Sequence, residues 1–293
     1  MEKIYDILII GGGVGGMSAA IYAKRRGKEV AVIEKFAFGG QLNMINQIKN
    51  FPSHTSVDGL TLAKEFSDQV KSFDIEKIYD EVQTVDFSGD VKVLNGKKKS
   101  YQAKSVIIAT GLKSKEIGVN ENDYLGRGVS FCTVCDANFY KDKDVCVASA
   151  NGRGLKAVKI LSEVCQSVTL FDSGDLSAFA KVNTNDKVKV VSNATVAKVE
   201  GQNKVEKVKV CVGGKEEIFD TDALFVELGK MPSTDIFKNA LKLDEQGFIV
   251  TNEKMQTSAN EVYAIGDVRN GVLKQIVTAC ADGAIAGQNA CQE

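Results

Sequence analysis

The chain has 293 residues, of which 44% are hydrophobic, and its formal net charge is −1. This length suggests about two domains with substantial cores, and the balanced charge gives no sign of a nucleic-acid partner. The first residues lack the pattern of a signal peptide and no apolar stretch is long enough to span a bilayer, so we expect a cytoplasmic protein with no membrane partner.

The first elements form a strand, a glycine turn, a helix and a second strand. An apolar run over residues 4–10 predicts a strand in a parallel sheet, and residues 17–26 predict a helix. Gly11 permits a tight turn between them, Gly13 lets the backbone approach a pyrophosphate, and Gly16 allows close helix–strand packing.

The second strand, residues 29–34, ends in Glu34, whose carboxylate can accept hydrogen bonds from a ribose hydroxyl. The helix N-terminus offers amide donors to the phosphates. Together these features predict dinucleotide binding. A glycine-rich turn without a ligand is the alternative.

The next segments predict loops, a helix and short strands. The loops Gly39-Gly40-Gln41-Leu42 and Asn50-Phe51-Pro52 contain residues that can approach a planar ligand closely. Residues 60–73 have the period of an amphipathic helix, and residues 75–99 predict short strands with a hairpin turn at Asn95-Gly96. Residues 103–111 predict another buried strand, which ends in Ala109-Thr110-Gly111.

A second strand–helix unit starts at Lys143, after a polar, linker-like segment at residues 112–115. Residues 224–229 close this unit, and residues 230–233 form a return linker. A helix is then predicted from Lys274 to Ala290.

The seven cysteines include one close pair, Cys132 and Cys135, which Asp136 follows directly. A single Cys-x-x-Cys in a reducing compartment is more often catalytic or metal-binding than structural. A zinc or iron–sulfur site needs about four ligands, whereas this chain has no second pair and only His54 as a histidine, so we predict no metal. The N-terminal thiol of such a pair typically attacks disulfides as the thiolate.

These motifs recur in the order found in low-molecular-weight, bacterial-type thioredoxin reductases, which the chain resembles over essentially its whole length. The motifs are residues 11–16, Glu34, residues 39–41, residues 109–111, residues 132–136 and Gly266-Asp267.

The resemblance implies an α/β fold with two Rossmann-like three-layer domains. An FAD-binding domain would comprise residues 1–112 and 232–293. An NADPH-domain-like domain that carries the Cys-x-x-Cys, residues 113–231, would be inserted in it. A homodimer is also implied.

The resemblance further implies that Cys132 attacks thioredoxin, that Cys135 lies next to the flavin, and that Asp136 donates and accepts the proton. It implies FAD binding by residues spread over the first domain: Gly11, Gly12, Gly13, Val14, Gly16, Glu34, Lys35, Gly40, Gln41, Leu42, Asn50, Val82, Ala109, Thr110, Gly111, Gly266, Asp267, Lys274, Gln275 and Ile276.

The inserted domain departs from the pattern of NADPH-dependent relatives. Ser149 and Asn151 replace the first two glycines of its second glycine turn, and Arg153 adds a long side chain. A His-Arg-Arg cluster that binds the 2′-phosphate in those relatives is replaced by residues 172–179, with no base before Lys181. Asp172 would repel a phosphate, although it could hold a ribose 2′-hydroxyl. We therefore expect no NADPH.

A clostridial subgroup with this pattern takes electrons from ferredoxin. We therefore predict a ferredoxin-dependent flavin thioredoxin reductase that reduces thioredoxin through FAD and the Cys132–Cys135 disulfide. A basic docking face for an acidic ferredoxin could include Lys113, Lys115, Lys141, Lys143, Arg153, Lys156 and Lys159. An NAD(P)H-linked reductase with a divergent loop and a non-catalytic flavin redox sensor stay open as alternatives.

Overall fold

The computed structural model describes residues 3–176 and 186–291. Lys181 and the last three residues of the segment predicted to lack basic residues, 177–179, lie outside this range. The chain divides into two compact units, Met1–Lys113 with Met231–Glu293 (unit 1) and Ser114–Lys230 (unit 2). No helix in the described part of the chain is long and apolar enough to cross a membrane.

The strands, numbered in chain order, are β1 (Ile4–Ile10), β2 (Val30–Glu34), β3 (Glu76–Tyr79), β4 (Val82–Asp86), β5 (Lys92–Gly96), β6 (Ser100–Ile108), β7 (Leu112–Ser114), β8 (Val129–Ser130), β9 (Asp144–Ser149), β10 (Ser167–Asp172), β11 (Val188–Ser192), β12 (Ala194–Glu200), β13 (Lys207–Val212), β14 (Lys215–Asp220), β15 (Ala223–Glu227), β16 (Lys230–Pro232) and β17 (Val262–Ala264). The α-helices are α1 (Val14–Arg25), α2 (Gly59–Ser72), α3 (Thr133–Asp136), α4 (Leu155–Val164) and α5 (Ile276–Asn289).

Unit 1 is built on a seven-stranded sheet with strand order β3-β2-β1-β6-β5-β4, in which β17 also pairs with β6. The pairs formed by β3, β2, β1, β6 and β17 are parallel, whereas β4, β5 and the first half of β6 form an antiparallel meander. The apolar run that predicted β1 is central in the sheet, and its last four residues, Ile7 to Ile10, are buried, as expected for a strand of apolar residues in a parallel sheet.

Two cores cover the faces of this sheet. On one face, Met17 and Ala20 of α1 pack with Ala286 of α5 against alternate residues of β1. A Cβ on Gly283 would come within 2.4 Å of a backbone oxygen of α1, so only glycine allows the two helices this close approach. On the other face, β4 to β6 pack with Phe237 and its neighbours.

Unit 2 contains a parallel five-stranded sheet in the order β11-β10-β9-β15-β8. Helix α4 covers one face through Ala157, Val158 and Leu161. The antiparallel sheet β12-β13-β14 packs its valines against the other face. Each unit therefore has the layered α/β architecture expected from the sequence.

The sequence located most helices and strands to within a few residues. Helix α1 begins three positions before the predicted start because its first turn consists of glycine-rich motif residues, which carry no signal of helix propensity. The predicted hairpin forms, but Asn95 pairs with Ser100, so Lys97 and Lys98 occupy the tip.

Candidate functional site

The first glycine turn joins β1 to α1 in a geometry that requires glycine at two positions. Gly11 has φ +109°, and a Cβ there would lie 2.3 Å from the carbonyl oxygen of Ala109. A Cβ on Gly16 would lie 2.0 Å from the carbonyl oxygen of Gly11. The carboxyl ends of β1 and β6 and the start of α1 are therefore in direct contact.

The same turn leaves room for a ligand. A Cβ placed on Gly13 would meet no atom within 4 Å, and no side chain within the described residues caps the N-terminus of α1. The unpaired amides of a first helical turn carry partial positive charge and bind phosphates. Gly40 lies close to this turn: a Cβ added to Gly40 would be 3.3 Å from the Cα of Gly13.

Glu34 lies at the end of β2, as predicted, and is only half-buried. Its carboxylate accepts hydrogen bonds from the amides of Gly12 at 2.8 Å and Phe36 at 2.9 Å. These bonds orient the side chain beside the glycine turn and leave acceptor sites for a ribose. Lys35 is exposed, and its ammonium lies 4.9 Å from the Phe36 ring centroid.

The structure also joins the predicted loop residues to the start of α5. The Asn50 side-chain amide donates to Gln275 Oε1 at 2.8 Å, and Gln275 caps α5 through a capping box. Leu42 and Ile276 belong to one small apolar cluster. The side-chain amide of Gln41 lies beside Gly111, which has φ +63°.

The other predicted residues have more varied surroundings. Burial lowers the pKa of Lys274, which interacts electrostatically with Asp267 and stacks on the Phe248 ring. Thr110 donates from its hydroxyl to the Ser233 carbonyl oxygen at 2.8 Å. Val82 is a core residue of β4, so any contact with a ligand would come from its backbone.

An ion pair that the sequence did not predict supports the Gly266-Asp267 turn. Asp282 of α5 is buried and accepts from Arg269 at 2.7 and 3.1 Å, and from the Gly266 amide at 3.0 Å. This bidentate pair orients the turn against α5. Basic residues after the turn were visible in the sequence, but the partner lies in a distant helix.

The residues of unit 1 fit FAD. The open space at Gly13, the uncapped start of α1 and the half-buried acid at the end of β2 are the three features a pyrophosphate and an adenosine ribose need. FAD, when bound, would supply the capacity to collect single electrons and deliver them in pairs.

In unit 2, Cys132 and Cys135 form a disulfide at the start of the short helix α3. Cys132 is the N-cap residue, and its sulfur accepts a hydrogen bond from the Cys135 amide at 3.3 Å. Val134 and Cys135 are exposed, and Phe139, four residues further on, has 81% of its surface exposed. The pair is therefore accessible on the surface of its own unit.

Asp136, the predicted proton carrier, is held by Ser130, which the sequence did not single out. The Ser130 hydroxyl donates to Asp136 Oδ2 at 2.7 Å and accepts from the Cys132 amide at 3.0 Å. Ser130 is buried, whereas Cys132 and Asp136 are half-buried, so Ser130 links the carboxylate to the disulfide from the interior of the unit. A second carboxylate, that of Glu227, accepts from the Thr133 hydroxyl at 2.7 Å.

The second glycine turn, between β9 and α4, has satisfied its own donors. Asp172 is completely buried, and its carboxylate accepts from the Ser149 hydroxyl at 2.6 Å and from three amides, those of Asn151, Gly152 and Gly174, at 2.8–2.9 Å. The Ser149 hydroxyl accepts in turn from the Gly154 amide at 2.8 Å. Holding a ribose hydroxyl, one of the two roles predicted for Asp172, requires an exposed carboxylate, so the structure corrects that role. The other predicted role, disfavouring a phosphate nearby, does not depend on exposure.

The amides that a pyrophosphate would use are thus already bonded. Arg153 donates from its amide to Ala150, and Leu155 to Gly152, which completes the turn. The Arg153 side chain lies against Gly229, where a Cβ would be 2.5 Å from Nη1. Asn151 has φ +53°, a conformation that asparagine tolerates better than most residues.

The lysines predicted for a ferredoxin docking face differ in their surroundings. Lys113 is paired with Asp235, whereas Lys141, Lys143, Lys156 and Lys159 are exposed in unit 2.

The cysteines outside the disulfide include three whose thiols resist ionisation. Burial raises the pKa of the Cys146 thiol to about 12, and those of Cys165 and Cys280 to about 11. Within the described residues, no group of three or more His, Cys, Asp or Glu side chains could hold a metal ion.

Comparisons with known proteins give relatives along the whole chain. The family model described as pyridine nucleotide-disulphide oxidoreductase matches residues 5–283. A thioredoxin reductase of Peptoclostridium acidaminophilum is 35% identical over 305 aligned positions, which cover 99% of this chain and 97% of the relative.

Solved structures of thioredoxin reductases also match this chain along nearly its whole length. The Lactococcus lactis thioredoxin reductase in its FR conformation has a TM-score of 0.80 at 28% identity, covering 98% of this chain and 97% of that one. A ferredoxin-flavin thioredoxin reductase of Clostridium acetobutylicum has a TM-score of 0.58 at 28% identity, covering 100% of this chain and 98% of that one.

Proposed function

This chain belongs to the pyridine nucleotide-disulphide oxidoreductase family, among the low-molecular-weight thioredoxin reductases, and from that premise we propose that it reduces thioredoxin with electrons from ferredoxin. The route runs through FAD in unit 1 and the Cys132–Cys135 disulfide in unit 2. The choice of donor rests on one observation: the amides of the second glycine turn are already bonded to Asp172 and Ser149.

The disulfide chemistry follows from the residues around the pair. Two electrons and two protons convert the Cys132–Cys135 disulfide to a dithiol. The Cys132 thiolate attacks one sulfur of the thioredoxin disulfide, forms a mixed disulfide and expels a thiolate, which takes up a proton. The Cys135 thiolate then attacks Cys132 Sγ, which releases dithiol thioredoxin and restores the disulfide. In this proposal Asp136 exchanges these protons, and its hydrogen bond from Ser130 supports that role.

The donor assignment depends on the second glycine turn. A dinucleotide that bound the amides of this turn would have to compete with Asp172 for those of Asn151 and Gly152, and so break into its hydrogen-bond network. Breaking such a buried network costs several kcal/mol, about 3 or more. This cost would weaken nicotinamide nucleotide binding by about a hundredfold or more.

Ferredoxin is a sufficient reductant. Plant-type ferredoxins have reduction potentials of about −400 mV, and thioredoxin has one of about −270 mV. Two electrons moving through about 130 mV release about 6 kcal/mol. Likeness to a ferredoxin-flavin thioredoxin reductase supports this donor. The exposed lysines of unit 2, among them Lys156 and Lys159, offer a basic surface to an acidic carrier.

Anaerobic titration of the flavin-loaded protein tests the donor directly. NADPH and NADH at millimolar concentration should leave the flavin absorbance near 450 nm unchanged, and photochemically reduced ferredoxin should bleach it. With oxidised thioredoxin present, reduced ferredoxin should then sustain turnover. Rapid bleaching by either nucleotide would overturn the assignment in favour of an NAD(P)H-linked reductase.

Failure with several ferredoxins would instead favour a redox sensor or another donor, and would equally overturn the proposal. The proposal also includes a homodimer, which light scattering on the purified protein would test.

A further inference from the structure

The turn that carries the disulfide is bonded to a carboxylate from a distant strand. Thr133 lies between the two cysteines at the first position of α3 and is buried, with 4% of its surface exposed. Its hydroxyl donates to Glu227 Oε1 at 2.7 Å, across 94 residues of sequence. Glu227 is the last residue of β15, the strand between β8 and β9 in the parallel sheet.

We infer that Glu227 is a positioning residue of the redox disulfide, which fixes the Cys-x-x-Cys turn through Thr133 and whose negative charge keeps the pair a strong reductant. This inference rests on the proposed function, because it names a residue that tunes the same disulfide. The roles proposed above for Cys132, Cys135 and Asp136 do not require it.

The geometric half of the inference follows from rigidity. Glu227 extends from the carboxyl end of a central strand whose preceding residues, Leu224 to Val226, are at most 2% exposed. A carboxylate at the end of such a strand has a fixed backbone position, and a threonine side chain has few χ1 rotamers, of which the hydrogen bond to Glu227 selects one. The hydrogen bond therefore limits the positions that Cys132 and Cys135 can adopt when the disulfide opens.

The electrostatic part of the inference follows from the charges that form when the Cys132–Cys135 disulfide is reduced. Reduction of the disulfide adds two electrons and two protons, and at alkaline pH a proton is lost from a thiol to give a thiolate. A neighbouring carboxylate disfavours that negative charge and so disfavours the reduced form. Asp136 already supplies one carboxylate at this turn through Ser130, and Glu227 supplies a second through Thr133.

A redox titration of the flavin-loaded protein tests both halves. The full chain is equilibrated with reduced and oxidised dithiothreitol at pH 8.5, where about half of an ordinary thiol is ionised. Alkylation and mass spectrometry of the peptide that contains Cys132 and Cys135 then give the reduced fraction. In Glu227→Gln, which keeps the acceptor oxygen and removes the charge, the equilibrium should move threefold to tenfold toward the dithiol, a potential about 15–30 mV less negative.

Matched variants separate this effect from general ones. Glu216→Gln makes the same charge change at an exposed position of β14 and should shift the equilibrium by less than about 1.5-fold. Thr133→Ser keeps the donor and should resemble the unmodified protein. Thr133→Val removes the donor, and adding Glu227→Gln to it should have a smaller effect than Glu227→Gln alone.

An unchanged equilibrium in Glu227→Gln would overturn the inference, as would strictly additive effects in the double variant. The assay contains no ferredoxin, thioredoxin or nucleotide. A potential shift without ferredoxin turnover would therefore contradict only the proposed function. Ferredoxin turnover without a potential shift would contradict only the role of Glu227.

Discussion

The two glycine turns share a strand–turn–helix architecture but use their amide donors differently. In the first turn, no side chain among the described residues caps the start of α1, and the half-buried Glu34 accepts from the Gly12 amide of the turn. In the second turn, the fully buried Asp172 and the Ser149 hydroxyl take the amides of the loop themselves.

The difference shows two ways in which the amides of a glycine turn can be satisfied. A helix N-terminus is stabilised by anions and acceptors, and these can come from a ligand or from the protein. The carboxylate at the end of β10 performs in unit 2 what a pyrophosphate would perform in unit 1. In unit 2 the protein itself therefore satisfies the amides of the second glycine turn, and the same unit carries the disulfide.

The largest effect should come from removing the disulfide. Cys135→Ser should reduce ferredoxin-driven thioredoxin reduction to background, because no dithiol can form. The flavin content, measured as absorbance near 450 nm relative to protein, should not change because FAD binding belongs to unit 1. Full turnover by this variant would contradict the assignment of the pair.

The next largest effect should come from filling the first turn. Gly16→Val places a Cβ 2.0 Å from the Gly11 carbonyl oxygen, so the protein should be purified with little or no FAD. Asn151→Gly in the second turn is the control and should retain normal flavin content. If Gly16→Val does not fold, Glu34→Gln should still weaken FAD binding by about tenfold, by loss of a charged acceptor.

A smaller effect, on local stability, should distinguish Asp172 of the second turn from Glu34 of the first. Asp172→Asn replaces an acceptor with a donor among four donors, which should destabilise β9 and β10 by about 2 kcal/mol. In hydrogen–deuterium exchange, amides of residues 144–172 should then exchange roughly 30-fold faster. Glu34→Gln should leave exchange in unit 1 nearly unchanged when FAD is saturating. Equal destabilisation by both variants would remove the contrast between the turns.

The smallest effect concerns the remaining cysteines. Burial raises the pKa of the Cys146 thiol to about 12 and that of Cys165 to about 11, so both should stay protonated and unreactive at pH 8. After mild reduction, iodoacetamide should label Cys132 and Cys135 within minutes. It should label Cys146 and Cys165 far more slowly, as peptide mass spectrometry would show. Rapid labelling of Cys146 would indicate that the sheet of unit 2 opens readily.

The comparison also separates what could be predicted from what could not. The β1 strand, the glycine motif and Glu34 were predictable because their signals are local: an apolar run, glycine spacing and an acid at the strand end. The loss of two glycines at Ser149 and Asn151 was equally visible. The burial of Asp172 was not, because it depends on a hydroxyl and amides 20–23 residues away.

By itself, the sequence determined the α/β class, the dinucleotide turn and the redox cysteine pair, since each is encoded by residue type at short spacing. Only the tertiary structure decided which carboxylates face a ligand and which face the protein. It turned Asp172 inward, joined Arg269 to Asp282, and brought Glu227 to Thr133. The physical reason is that a carboxylate's role depends on the donors around it, and parallel strands bring those donors from distant parts of the chain.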